Sequence, residues 1–479
     1  LPSPHRCAAV IPEPQHQQDF TITQPRRIPR AEHPISRSMI SQGTLKTLYT
    51  LRDAGFEAYM VGGGVRDLLA GITPKDFDVA TSAHPEQVKK LFRSCRLVGR
   101  RFVICHVRFG EEILEVTTFR GPITDLHERD ETGRILADND YGTLEEDAFR
   151  RDFTINALYY DIRDYSIVDY CGGVEDLKTG TLRLIGDPEL RFREDPVRML
   201  RAVRIVNKMR FRLDPASAAP IRRLAPLLGE IPPARLFDEV LKILLTREAV
   251  DNLYGLRVYG LFKQLFPQTD ALLEDPAQLA FVNRALANSA QRIEKDLPIS
   301  PAFLYAALLW PPVEKRAHEL VQAEGHPFHI ALSQASEEVI ARAISRVAIP
   351  KRFSMPMREI WGLQSRFDQR HPGRARRLMS HPRFRAAYDF LLLRAQAGTD
   401  PMLTELATWW TEAQKGVELP RHHATVESGD ETGEGAPDDS DGTPGAGGDA
   451  TPPARRRRRR RRGGRRGGGG ASAEAAPAG

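Results

Sequence analysis

Apolar positions follow two different rhythms along this chain. From Met39 to about Ile185, short alternating runs are interleaved with helical patterns. Beyond Gly186 the alternation fades and a three-to-four-residue spacing takes over. In the first region, residues 38–55 place Ile40, Leu45, Leu48 and Leu51 on one helical face, with Gly55 as the stop. Strands are expected at 56–61 and 76–81, with a helix opening at 64–71 between them and another at 84–95. Further strands are expected at 96–99, 101–110 and 112–120, the last two joined by a glycine-containing turn, and a second pair at 156–163 and 165–173. The second region carries helical patterns at 195–209, 234–246, 301–310, 337–349, 357–367 and 384–396. No fixed-period repeat is present, so consecutive helical bundles rather than a solenoid are expected there. Residues 1–36 and 418–479 lack any periodicity and read as disordered.

The run Val61–Ala80, VGGGVRDLLAGITPKDFDVA, interrupts this pattern with chemistry. Gly62, Gly63 and Gly64 follow an apolar strand, and glycines allow a phosphate to approach backbone amides closely. Downstream, Asp76 and Asp78 flank Phe77. In a strand both carboxylates face one way while Phe77 enters the core. Such a pair repels itself unless a cation intervenes, and magnesium suits hard oxygen donors beside a triphosphate. A lone Asp-x-Asp often belongs to a solvated turn; the glycines and Arg66 argue for a site. A third carboxylate would complete a two-metal site, and Glu115 stands mid-strand in an apolar context. The neighbouring Glu111 and Glu112 leave a solvent-facing role equally open.

Two later segments add cations. Arg150-Arg151-Asp152-Phe153-Thr154-Ile155-Asn156 offers guanidiniums for phosphates and acceptors for ribose hydroxyls, although salt bridges at a helix start would look the same. In Glu194-Asp195-Pro196-Val197-Arg198, Asp195 reads as a helix N-cap and Pro196 as the first helical residue. Arg198, Arg201 and Arg204 then recur along one side of a helix whose Met199, Leu200 and Val203 are apolar. An arginine beside a carboxylate can read the edge of an adenine. Asp195 cannot give one oxygen to both capping and base reading, which favours Arg198.

Composition sharpens this picture in two places. The four cysteines, Cys7, Cys95, Cys105 and Cys171, are scattered without metal-ligand spacing, which suits a reducing cytoplasm and argues against structural zinc. No apolar run approaches the roughly 20 residues of a membrane span, and residues 1–35 lack the apolar segment of a secretory leader. The net charge of +6 conceals segregation within the tail, where eight of the nine acidic residues come before an arginine block and only Glu474 follows it. That block comprises Arg455, Arg456, Arg457, Arg458, Arg459, Arg460, Arg461, Arg462, Arg465 and Arg466. Arginines packed beside glycines suit sequence-tolerant binding to phosphate backbones; a merely solubilising tail is the plainer alternative.

In order and spacing, GGGVRDLLAG, KDFDVAT, RRDFTINAL and REDPVRMLRAVR resemble the class II nucleotidyltransferases, which include bacterial poly(A) polymerases and tRNA CCA-adding enzymes. The resemblance implies an α+β fold: a nucleotidyltransferase head with a small mixed sheet at 37–187, a helical neck at 188–275 and a helical C-terminal domain at 276–417. It implies two Mg²⁺ ions held by Asp76 and Asp78, with ATP and an RNA 3′ end as substrates. Gly62, Gly63 and Arg66 match triphosphate-holding positions. Arg151, Asp152 and Asn156 match the ribose and phosphate motif, and Glu194, Asp195, Arg198 and Arg201 the base-recognition segment. Glu115 matches an acidic strand position of the head and competes with Asp152 as third catalytic carboxylate. LVGRRF (97–102) with Cys105-His106-Val107, IPPARLF (231–237), AIPKRF (348–353) and 381–395 look like the poly(A)-synthesising branch. The expected activity is therefore template-independent transfer of AMP from ATP to RNA 3′ ends in the cytoplasm, away from membranes, with RNA-decay proteins as candidate partners. The alternatives are a CCA- or A-adding enzyme and, more remotely, a non-catalytic RNA-binding protein.

Overall fold

Eight strands of the head form one sheet in the computed structural model, which describes residues 24–99, 102–122, 140–398, 400–415 and 417. The strands are β1 (Arg26–Ile28), β2 (Ala58–Val61), β3 (Asp78–Thr81), β4 (Cys95–Val98), β5 (Ile104–Phe109), β6 (Glu112–Thr118), β7 (Leu158–Asp161) and β8 (Ile167–Asp169). Their spatial order is β1-β8-β7-β2-β3-β6-β5-β4. Every neighbouring pair is antiparallel except β3 and β6, which run parallel, so the sheet is mixed. That one parallel pair needs a crossover, which α3, β4 and β5 provide. The helices of this region are α1 (Gln42–Asp53), α2 (Gly63–Leu69), α3 (Pro85–Leu91), α4 (Leu144–Arg150), α5 (Gly173–Thr179), α6 (Pro188–Glu194) and α7 (Val197–Met209).

Period-two alternation gives the sheet two faces with different coverings. One face presents Met60, Val79, Cys105, Val107, Val116, Leu158 and Tyr160 to the buried sides of α1 and α3, including Leu48, Leu51 and Val88. On the opposite face α4 covers only the inner strands, packing Leu144 and Ala148 on Tyr59, Val61, Ala80, Tyr159 and Val168. That covering stops beside Asp78 at the head of β3.

Three elements depart from the sequence reading. The segment expected to be disordered to residue 36 is ordered from β1 onward: Arg26–Ile28 pairs with β8, and Ile28 and Ile35 are buried. A three-residue edge strand is too short for periodicity to reveal, and its stability comes from the partner strand. β3 starts only at Asp78, leaving Asp76 exposed in the preceding turn. The helix at 301 continues through Pro311 and Pro312 to Glu324, because Val313, Ala317 and Leu320 resume the buried spacing beyond the prolines.

The helical remainder shares one apolar core, running from Phe153 and Ile155 of the head through Leu253 and Phe262 to Trp310, Trp361 and Phe390. Phe281 and Val282 belong to the same core, so the boundary expected at 275/276 crosses continuous packing. A separate smaller cluster around Phe367, Phe384 and Trp410 closes the C-terminal end. No helix among the described residues is long and apolar enough to cross a membrane.

Candidate active site

The site forms where β2 and β3 end side by side. Val61, the last residue of β2, pairs with Asp78, the first of β3. The chain leaves β2 through Gly62 at φ 75° and ψ −137°, a backbone region open essentially to glycine alone. A Cβ on Gly62 would lie 3.5 Å from Asp78 Oδ2 and 3.7 Å from Arg151 Nη1. Turn, carboxylate and guanidinium therefore converge on one point. Gly64 is equally constrained: a Cβ there would stand 3.1 Å from the Phe77 ring and 3.4 Å from the Asp76 carbonyl oxygen. At Gly63 a Cβ would come within 3.4 Å of Arg66 Nη2.

Asp78 also pairs in register with Glu115 of β6, so both side chains leave the same face of the sheet. Burial, then Glu115, and more weakly Asp76 push the Asp78 carboxyl up to about 6, against the pull of Arg151 and Arg201. Glu115 is adjacent to Asp78 and yet half-exposed, with one oxygen 3.9 Å from His106 Nε2. Glu115 thus stands beside Asp78 on the sheet while its side chain remains half in solvent.

Behind this point Arg66, Asn156, Asp152 and Arg201 join one chain of hydrogen bonds. Arg66 is buried and donates to Asp67 through Nε (2.9 Å) and Nη2 (2.7 Å), and to Asn156 Oδ1 through Nη1 (2.7 Å). Asn156 Nδ2 donates to Asp152 Oδ1 at 3.0 Å, and Arg201 Nε donates to Asp152 Oδ2 at 2.8 Å. At the other end Lys208 Nζ donates to Asp67 Oδ2 at 2.7 Å, so α7 holds both ends of the chain. Arg201 and Lys208 lie seven residues apart on α7, hence on one helical face. Burial alone would raise Asp152, but Arg201 and the bonds from Asn156 and the Phe153 amide hold its carboxyl well below the usual carboxylate range. Each oxygen of Asp152 is thereby engaged within the protein, whereas Asp76 stays exposed and Asp78 lies beside the glycine turn.

The segment from Glu194 to Arg198 is likewise paired. Glu194 is buried and accepts from Arg191 Nη1 (2.7 Å) and Arg198 Nη1 (3.2 Å), while Arg198 also donates to the Arg191 carbonyl at 2.7 Å. α7 begins at Val197, whose amide donates to Asp195 Oδ1 at 3.3 Å; the second Asp195 oxygen accepts from Arg235 at 2.6 Å. The helix thus starts one residue later than expected, with Pro196 rather than Asp195 at its N-cap and no side-chain cap; Asp195 instead ends α6 and joins the two helices through these bonds. The basic stripe of α7 faces carboxylates: Arg198 meets Glu194, Arg201 meets Asp152, and Arg204 meets Glu239 at 2.7 Å. Arg191, crowded by burial and by the Arg198 charge, is pushed down to about 9 despite Glu194.

Several contributors escaped the sequence reading. Asp147 of α4 is buried and accepts from Arg151 Nε (3.0 Å) and Nη2 (2.9 Å), Tyr159 Oη (2.7 Å) and Arg120 Nε (3.1 Å). It fixes Arg151 over the Tyr159 ring, 5.2 Å from its centroid. Asp147 and Lys208 sit in ordinary helical sequence. The only signal available was the i,i+4 spacing of Asp147 and Arg151. The ten tail arginines lie outside the described residues.

Among the described residues no three His, Cys, Asp or Glu side chains converge as a metal set. Two carboxylates near the Gly62–Gly63 turn are nevertheless the donor set magnesium favours, because it keeps water and substrate oxygens in its remaining positions. The residues present fit the ion.

Comparison with known proteins adds to this geometry. The family model for the poly A polymerase head domain matches residues 58–183, that for a probable RNA- and SrmB-binding site of polymerase A matches 210–273, and that for the arginine-rich C-terminus of polymerase A matches 324–463. The chain is 48% identical to poly(A) polymerase I of Salmonella typhi over 419 residues, covering 85% of this chain and 90% of the relative. It is 46% identical to poly(A) polymerase I of Haemophilus influenzae, covering 81% and 87%. The solved CCA-adding enzyme of Thermotoga maritima, complexed with tRNA, superposes with a TM-score of 0.55 at 20% identity over 83% of this chain and 88% of that one, a likeness of fold.

Proposed function

The chain belongs to the bacterial poly(A) polymerase I family, and on that premise we propose how its head adds AMP from ATP to RNA 3′ ends without a template. The observation that carries this assignment is the convergence of Gly62, Asp78 and Arg151 on one point, with Glu115 on the adjoining strand. The triphosphate lies along the Gly62–Gly63 turn, where the missing side chains let phosphate oxygens reach the backbone. Arg151, fixed by Asp147 and Tyr159, directs a guanidinium at the same place. Arg66 is held by Asp67 and Asn156, so it meets the nucleotide already oriented and without paying again for ordering.

Asp76 and Asp78 would hold magnesium, which would supply positive charge for the attacking 3′-hydroxyl and the pyrophosphate leaving group. The RNA 3′-oxygen bonds to the α-phosphorus as the bond to pyrophosphate breaks; Arg151 and the glycine amides stabilise charge growing on the phosphate oxygens. Asp152 acts through its neighbours, holding Asn156 and Arg201. With no template, the base must be measured by protein groups, and the Glu194–Arg198 pair on the last turn of α6 and the first of α7 supplies both donor and acceptor. The arginine tail binds RNA phosphates, and the reaction belongs to the bacterial cytoplasm, where RNA-decay proteins would meet its product.

The test is purified protein with a short generic RNA, Mg²⁺ and each nucleoside triphosphate in turn. ATP alone should give long tails. Use of CTP, with a stop after one to three additions, would instead assign CCA addition. Asp76→Ala should abolish AMP addition and leave RNA binding nearly intact; retention of a tenth of wild-type polymerisation would remove the residue from its assigned role.

A further inference from the structure

The register of the head sheet carries the row of site residues beyond Glu115. Asp78 pairs with Glu115, Glu115 with His106 of β5, and His106 with Arg96 of β4. Register partners project from the same face, so Asp78, Glu115, His106 and Arg96 form one line across four strands. The same face carries Arg108 and Ile113, a register pair one step along. α1 and α3 cover the opposite face, and α4 covers this one only over the inner strands. Over β4, β5 and β6 the face stays accessible: Arg96, Arg108 and Glu115 are exposed, His106 is partly exposed, and Ile113 is 39% exposed.

Nucleotidyl transfer needs its two reactants on opposite sides of the α-phosphorus, since the attacking oxygen and departing pyrophosphate lie roughly in line. Gly62 and Arg151 occupy the β2 side of Asp78, and Glu115 opens the β6 side. We infer that the open face of β4–β6 seats the 3′-terminal nucleotides of the RNA primer, with the His106 imidazole as a stacking surface and Arg96 and Arg108 as phosphate contacts. This rests on the nucleotide placement proposed above. Charge supports the occupant: two arginines and an imidazole flank the carboxylates, and an exposed isoleucine provides apolar area for a base. Sequence-tolerant stacking with cationic flanks is how single strands are held without base readout. It suits a polymerase whose primer end is always a newly added nucleotide.

The experiment compares His106→Ala, His106→Phe and Arg96→Ala/Arg108→Ala with the wild-type full-length protein, using a short unstructured RNA. Loss of one base stack should raise the primer KM on the order of tenfold in His106→Ala, with the ATP KM unchanged. His106→Phe, which keeps a ring to stack on, should stay within about threefold of wild type. The double arginine variant should lower the log–log salt slope of RNA binding by roughly 0.7 per phosphate contact. Hydrogen exchange supplies an independent reading: RNA should protect β5 and β6, whereas ATP with Mg²⁺ should protect the β2–α2 turn. A His106→Ala primer KM within twofold of wild type, a parallel rise in ATP KM, or RNA protection confined to the helical half would each overturn the inference. Asp76→Ala is run alongside. If it still polymerises, the underlying site assignment fails; if it is dead while His106→Ala is unaffected, only the primer platform fails.

Discussion

Replacing Asp147 with Asn removes one negative charge from beneath the site while keeping the side chain's shape. The carboxylate is buried and receives two nitrogens of Arg151, one of Arg120 and the Tyr159 hydroxyl. Burial pushes its pKa up, but Arg151, Arg120 and Tyr159 more than reverse this and hold the group well below the usual carboxylate range. Breaking a buried pair from one side costs about 3–5 kcal/mol, because the partner charge is left uncompensated. The lower end applies here: the Arg120 side chain is 23% exposed and can rehydrate, whereas Arg151 at 15% is more confined. If the head of about 150 residues melts as a unit, about 3 kcal/mol corresponds to a midpoint lowered by roughly 6–12 °C, measured by calorimetry or circular dichroism. The sign of the pH dependence follows from the depressed pKa. Stability contributed by Asp147 is complete above the unfolded carboxylate value near 4 and disappears as pH falls through the lower folded value. The gap between wild type and variant should therefore be level from about pH 5 to 8 and close only in stronger acid. A midpoint change below 2 °C, or a gap that closes between pH 8 and 6, would refute the reasoning. Arg151 loses its anchor in the same variant, so AMP transfer should also fall about tenfold or more.

Gly62→Ala forces a Cβ onto a backbone at φ 75° beside Asp78; about 1–3 kcal/mol of strain should accompany a loss of AMP transfer larger than the loss of stability explains. Unchanged turnover would mean that phosphate does not approach this turn. Lys208→Met removes the tie from α7 to Asp67, and should raise the ATP KM several-fold while RNA affinity by filter binding stays constant; equal loss of both would point to general loosening. Deleting residues 451–479 should weaken RNA binding and flatten its salt dependence by roughly 0.7 per lost contact, while AMP transfer on saturating primer persists. An unchanged slope would exclude the tail as an RNA contact.

Much of the chemistry was legible in the chain because it depends on local constraints. A glycine that must adopt φ 75° and two carboxylates around Phe77 leave marks within a few residues. So do the strands, whose alternation registers which side faces a core, and the caps and helices of the second half. Resemblance then fixed the order of motifs and with it the reaction. What the chain left undecided was which distant residues neutralise one another. Glu115 could be solvent-facing or part of the site; only the parallel pairing of β3 with β6 sets it beside Asp78. The arginines of α7 read as a basic stripe with Arg198 free to meet a base, but tertiary packing assigns each a carboxylate, from Glu194, Asp152 and Glu239. Asp147 and Lys208 carried almost no signal, since a buried charge is marked by its partners rather than by its neighbours in sequence. Local sterics are written residue by residue, whereas the pairing of charges brought together from 67 to 208 is settled only when sheet register and helix packing place them within hydrogen-bond reach.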